Sequence, residues 1–413
     1  MRPAVRLSPN DASAPSRKLW SFERVLYPSD CGSSRCLHQA GRGSVLKKFP
    51  FVSGQFENSA IVSPDIQTAR PARYANNFQA LRWIAASLVI VAHAHGLRSF
   101  ESLYSRVTGL ELGWSAVVMF FTISGYLISG SVQRHPAHEF WKARFLRIFP
   151  GLIICTAVTA LVISEFSTLS FADYFSNRQT LRYIFGTGTL LSTEYSLPGA
   201  FQGNITTIAN GSLWTLRYEI ASYFTLFMLF TIANRTGIKF ASIIIASGVV
   251  CAIGCIVPVA LGHSIPVQAS NLLALFVPFS IGAWFQATKT SPPNIISVLI
   301  ALAISAVLAR TLEWSIFATA SIAMLTLWIA FVANKLLSKL NAFPDYSYGI
   351  YIYAYPIQQM TSVLLPGWNP IAQIVVSFWA TLVPASLSWH FIEKPALALK
   401  STNIYSIVRS TAR

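Results

Sequence analysis

From Phe78 onward, apolar runs of roughly 17 to 23 residues follow one another almost to the end of the chain. A run of that length crosses a hydrocarbon core of about 30 Å as a helix rising about 1.5 Å per residue. Water cannot satisfy backbone groups at that depth, so each segment must close its own hydrogen bonds, and consecutive runs of this kind leave helices as the solution. Hydrophobic residues make up 53% of the chain and charged residues only 11%, a balance that a water-soluble domain rarely shows. The predicted class is an all-α polytopic membrane protein. Ten helices are expected at about 78–97, 113–131, 148–165, 212–233, 240–260, 271–288, 294–310, 313–333, 346–365 and 370–392.

Three regions follow from the same pattern. Residues 1–77 are rich in Ser, Pro, Arg and Ala and read as a disordered basic cytoplasmic tail; 78–398 form the integral-membrane domain; 399–413 are a short cytoplasmic tail. The net charge of +16 does not point to nucleic acid, because the Lys and Arg lie between apolar runs and not in a patch interleaved with exposed aromatics. Arg134, Lys142, Arg144, Arg147, Arg235, Lys239, Lys289, Lys335, Lys339, Lys394 and Lys400 all fall on one side if the N-terminus is cytoplasmic, where they face anionic lipid. Both termini are then expected inside, with the long connection 166–211 outside as an acceptor-facing cap. Sequons at Asn204 and Asn210 matter only in a glycosylating host. The five cysteines lack the neighbouring ligands of a zinc site, so no metal is expected.

Ionisable residues inside apolar helices cost at least about 2.5 kcal/mol on insertion scales and are usually kept for function. In LRWIAASLVIVAHAHGL (81–97), Arg82 and His93 are eleven residues apart. Eleven steps of about 100° bring them to one helix face, about 16 Å apart along the axis. His95 points elsewhere and suits an interface position. Arg82 snorkelling to headgroups and His93 satisfied by a neighbouring helix are the plainer alternatives.

GSLWTLRYEIASYF (211–224) puts Glu219 at about the depth of His93, where a carboxylate could orient the imidazole as a general base; pairing with Arg217 is the structural alternative. Trp214, Tyr218 and Tyr223 also fit an aromatic belt. Ser124 and Gly125 in MFFTISGYLISGS (119–131) permit close approach of a ligand or of another helix. Arg144 and Arg147 share one face of an amphipathic segment and suit phosphate, or serve only as inner-surface charge.

Taken together, these motifs resemble the membrane-bound acyltransferase-3 family, which O-acylates surface polysaccharides, lipopolysaccharides and nodulation factors. The resemblance covers about Asn77 to Ala398. It rests on Arg82 and His93, FFTISGYLI (120–128), Arg144 and Arg147 with Pro150, Trp214 and Glu219, YSYGIYIYAYPIQQ (346–359), and FIEKP (391–395). It implies acetyl-CoA or another acyl-CoA as a cytoplasmic co-substrate, no metal, and a surface polysaccharide or glycolipid acceptor. The implied location is a bacterial inner membrane. It also implies His93 as the catalytic histidine, Arg82 as its partner on the first helix and Arg144 and Arg147 as the cytoplasmic arginine pair, so donor binding is expected of the three arginines; Glu219 is expected to orient His93, and Ser124, Trp214 and Tyr348 are possible pocket residues. Many members carry a histidine where this chain has Ala354. The expected working arrangement is one passage, with the donor phosphates on the arginines and the thioester reaching His93. Two other readings stay open: a proton-coupled transporter or flippase using Arg82, His93 and Glu219, and a non-catalytic partner in glycan assembly.

Overall fold

A computed structural model of the protein describes residues 76–94, 104, 110–308, 315–332 and 334–400. Residues 1–75 of the tail expected over 1–77, His95, and 401–413 lie outside these residues. Ten helices of 14 residues or more occur among those described. They are α1 (Phe78–Ala92), α2 (Leu112–Arg134), α3 (Ala137–Ile163), α4 (Trp214–Thr236) and α5 (Phe240–Ala260), then α6 (Val267–Thr288), α7 (Ile295–Leu308), α8 (Ser315–Phe331), α9 (Ser347–Leu364) and α10 (Pro370–Ser388). α2, α3, α5, α6 and α10, the last with the short turns after it, are long and apolar enough to cross a membrane; α1, α7 and α8 are shorter apolar helices. The fold is all-α, as expected. α3 differs from expectation: it begins at Ala137, so the amphipathic arginine segment and the apolar span are one helix running through Pro150.

Burial separates the centre from the rim. In its most apolar stretch α2 is 72% buried, whereas α5, with the highest hydropathy of the spans, is only 11% buried. A helix that is most apolar where it is least covered by protein is turned toward lipid. α2 is the central post. Its close partner is α6, and glycine sets the approach: a Cβ added to Gly125 would lie 2.0 Å from the Phe279 carbonyl oxygen, and one on Gly282 would lie 2.1 Å from that of Thr122. Of the two earlier readings of Gly125, tight helix packing is the one seen here.

Polar caps join α1 to its neighbours. Asn77 donates through Nδ2 to the Ile329 and Val332 carbonyls (2.9 and 2.8 Å), and the α1 amide of Ala80 reaches Asn341 Oδ1 (2.9 Å). The first two bonds satisfy carbonyls left open at the end of α8, and the third an amide left open at the start of α1. The connection between α3 and α4 folds into a compact layer around buried Tyr174, Tyr183, Leu197, Ala200, Phe201 and Ala209. The glycosylatable nitrogens in this layer are already used: Asn204 Nδ2 donates to Gln359, and Asn210 Nδ2 to the Ile352 carbonyl (2.8 Å). Cys155 and Cys251 are free thiols in helices, as their apolar settings suggest.

Candidate active site

α2 presents Val117, Phe121, Ser124, Ile128 and Ser131 along one face, at the three- and four-residue spacing of a helical stripe. That face borders a cavity of about 340 Å³, also bounded by Arg82, Arg144, Arg147, Glu219, Tyr348 and Tyr351. From Val117 to Arg134 the cavity wall runs seventeen residues of α2, about 25 Å at the helical rise. Four of the expected functional groups, Arg82, Arg144, Arg147 and Glu219, therefore meet in one space with Ser124 and Tyr348.

Two of the three arginines are balanced by acids that sequence reasoning missed. Asp345 Oδ2 accepts from Arg82 Nη2 and Arg147 Nη2, both at 2.9 Å, and its Oδ1 accepts from Ser347 Oγ at 2.6 Å. Glu393 lies 3.8 Å from Arg147 and accepts from Ser388 at 3.0 Å. Burial by itself would push the Asp345 carboxyl up. The Arg147 and Arg82 guanidiniums outweigh it, with Ser347 adding to them, and hold it below the ordinary aspartate range. Arg144 has no carboxylate partner among the described residues and packs against the Phe140 ring at 5.6 Å. Of the trio expected to bind phosphate, Arg144 makes no direct ion pair among the described residues and feels Glu219 only across the cavity, while Arg82 and Arg147 are held in an ion cluster.

Glu219 does not meet His93. Its Oε1 accepts from Ser124 Oγ at 3.2 Å and from the Tyr223 hydroxyl, so it sits inside the large cavity. Tyr348 bounds the same cavity, donates to the Ile148 carbonyl (2.7 Å) and lies 5.7 Å from the Arg147 guanidinium. Trp214, expected as a pocket residue, is not on the cavity wall; it stacks on Trp114 with ring centres 6.2 Å apart, and the next residue, Thr215, takes the wall position.

His93 caps the C-terminal end of α1 and faces a second, smaller chamber with Tyr355, Gln358, Gln359 and Ser362. The Tyr355 ring meets the imidazole edge-on at 4.8 Å. The two chambers lie in line, because Tyr348, Tyr351, Tyr355, Gln358 and Ser362 repeat at three or four residues on α9 and form one stripe. Among the described residues an aromatic layer separates the two chambers where a continuous passage is expected. Phe120 packs against Tyr351 (5.5 Å), whose hydroxyl is bound to the Ser212 carbonyl and to Thr215 (2.7 and 2.5 Å). Tyr355 closes on Gly211, where a Cβ would sit 2.8 Å from the ring. This aromatic layer is thin. Gly113 lies beside Ala92, with an added Cβ 3.3 Å from that of Ala92, and Val117 on the cavity wall is four residues away, about 6 Å along α2.

Asp345 stands just before YSYGIY, and a signal for it was available. Three arginines facing one cavity need counter-charge, and the chain has only 15 acids. No equivalent signal marks Gln358 or Tyr355.

The acyltransferase domain family matches residues 76–390, nearly all of the helical part just described, and the chain belongs to that family. It is a membrane protein and an O-acyltransferase. An O-acetyl transferase of Shigella phage Sf6 is 30% identical over 350 residues, covering 80% of this chain and 98% of that protein. Nodulation protein 10 of Rhizobium leguminosarum bv. viciae is 28% identical over 371 residues, covering 80% of this chain and 95% of that protein. No solved structure is significantly similar.

Proposed function

We propose that the protein transfers an acetyl group from acetyl-CoA to a hydroxyl of a surface glycan or glycolipid, in the inner membrane of a bacterium. The observation that carries this reading is the alignment, along one stripe of α9, of an arginine-lined cavity with the His93 chamber. Arg144, without a carboxylate partner among the described residues, is the group best fitted to a donor phosphate, since guanidinium forks match phosphate oxygens. Arg82 and Arg147, fixed by Asp345, shape the wall beside it. Glu219 accepts hydrogen bonds within the cavity, and its carboxylate suits the amide N–H groups of a pantetheine arm better than the orientation of His93.

Chemistry then takes place where the arm meets His93. The imidazole takes the proton of the acceptor hydroxyl, the oxygen attacks the thioester carbonyl carbon, the C–S bond breaks, and the departing thiolate takes the proton back as free CoA. Direct transfer and a relay through acyl-histidine use the same residue. Either route requires the Tyr351 and Tyr355 layer to part, because that layer stands between the arm and the imidazole.

The test is transfer from radiolabelled acetyl-CoA to glycan by purified protein. His93→Ala should lower the rate about 10²- to 10⁴-fold, the usual share of a general base, with unchanged elution of the folded protein. Full activity in that variant would remove His93 from the reaction.

A further inference from the structure

We infer that Gln358 is an acceptor-binding residue, its side-chain oxygen receiving a hydrogen bond from a hydroxyl of the glycan in the His93 chamber; this rests on the acyl-transfer reading above. The argument begins at the end of α1. The helical partner of the Ile90 carbonyl would be the Ala94 amide, but that amide bonds Val91 instead at 3.2 Å. A carbonyl freed at a helix end needs another donor. Gln358 Nε2 supplies it, at 2.7 Å.

That bond fixes the amide. A carbonyl oxygen accepts only from the nitrogen end, so Nε2 must face Ile90 and Oε1 must face away. Oε1 is buried and has no hydrogen-bond partner among the described residues. Its residue borders the chamber with His93. An oxygen with its nitrogen already committed can only accept, so what it lacks is a donor, and leaving such a group unmet in a buried site is costly.

The neighbouring amide has no such vacancy. Gln359 Nε2 donates to the Thr206 and Ile208 carbonyls (2.8 and 2.6 Å), and its Oε1 accepts from Asn204 (3.0 Å). Two adjacent glutamines thus have separate tasks: Gln359 fastens the α3 to α4 connection to α9, and Gln358 presents an acceptor to the chamber. The chamber offers about 10 Å³ of room, enough for one water-sized group. A hydroxyl is that size, so one hydroxyl of the acceptor can enter and donate to Gln358 Oε1 beside the imidazole.

The experiment uses the full-length protein in detergent, acetyl-CoA as donor, and whichever of a purified O-polysaccharide or chito-oligosaccharide the wild type acetylates. Gln358→Met removes both amide functions; Gln358→Lys can still donate to Ile90 but offers no acceptor. Both should raise the acceptor KM about fivefold, the weight of one hydrogen bond; Gln358→Lys should keep the acetyl-CoA KM and the melting temperature near wild type, whereas Gln358→Met should also melt lower, because the Ile90 carbonyl loses its donor. If Gln358→Lys keeps the wild-type acceptor KM, or if in that variant the donor KM rises and the melting temperature falls along with the loss of acceptor use, the residue only caps Ile90 and the inference is overturned. A wild type that acetylates neither glycan from acetyl-CoA overturns the donor reading and the inference with it. A chamber that holds only water would leave the acceptor KM of both variants unchanged, which also overturns it.

Discussion

Gly125→Ala is the sharpest test of how the helices are held. The new Cβ would lie 2.0 Å from the Phe279 carbonyl oxygen and 2.8 Å from its carbon. Both atoms are backbone, so no rotamer can relieve the clash; ordinary contact begins at about 3.4 Å, and α2 and α6 must part by about 1.4 Å. Inserting a methyl into packed helices typically costs about 1–3 kcal/mol; a backbone contact this short places the cost at the upper end, about 3 kcal/mol. The displacement also carries Ser124, the preceding residue, whose 3.2 Å bond to Glu219 has no slack to follow it. The assay is elution and melting of detergent-solubilised protein together with acetyl transfer, using Gly203→Ala as control, because a Cβ there meets nothing within 4 Å. Melting well below the control and transfer reduced by about 10²-fold are expected, since misplacement by about 1 Å can cost that much. A Gly125→Ala protein indistinguishable from Gly203→Ala would refute the packing argument.

Asp345→Asn should cost about 3 kcal/mol near neutral pH, the low end for removing one partner from a buried ion cluster, since its side chain is 13% exposed and those of Arg82 and Arg147 are 24% and 27% exposed. The Asp345 carboxyl ionises below its ordinary range, so the stabilisation it supplies is complete above about pH 4 and is lost as pH falls through that lowered value. Melting of wild type and variant against pH should therefore converge in acid; a gap that stays constant would exclude this role. Arg144→Ala should raise the acetyl-CoA KM about 10- to 100-fold, the range for a hydrogen bond to a charged group, with little change in melting. Arg82→Ala should do the reverse, lowering melting more than donor affinity, because it leaves the Asp345 cluster one cation short. Equal donor-KM effects from both substitutions would remove the distinction drawn between them.

Helix number and approximate position were legible because each apolar run has the length that a bilayer requires. The start of α3 was not, since Arg144 and Arg147 break the apolar pattern without breaking the helix, and Pro150 lies within it. Depth along a helix can be counted from the chain, and Arg82, Arg144 and Arg147, expected together at the inner end, do border one cavity; Glu219, expected beside His93, borders it too. Rotation of one helix about another cannot be counted in that way. His93 and Glu219 were matched in depth, yet Tyr223 and Ser124 occupy the carboxylate and Tyr355 faces the imidazole. Asp345 escaped notice because it lies in a short connection, outside the helical periodicity that guided the search.

α9 is moored at both ends. Asp345, two residues before its first turn, grips Arg82 and Arg147, while Gln359 in its last turns is tied to three groups of the opposite layer. A rod fixed in this way cannot slide along the bilayer normal without breaking ionic contacts below or amide contacts above. The distance between the arginine cluster and the imidazole is therefore set as a ruler's marks are, and under the proposed reaction a donor of different reach would fail by length before any pocket tested its shape.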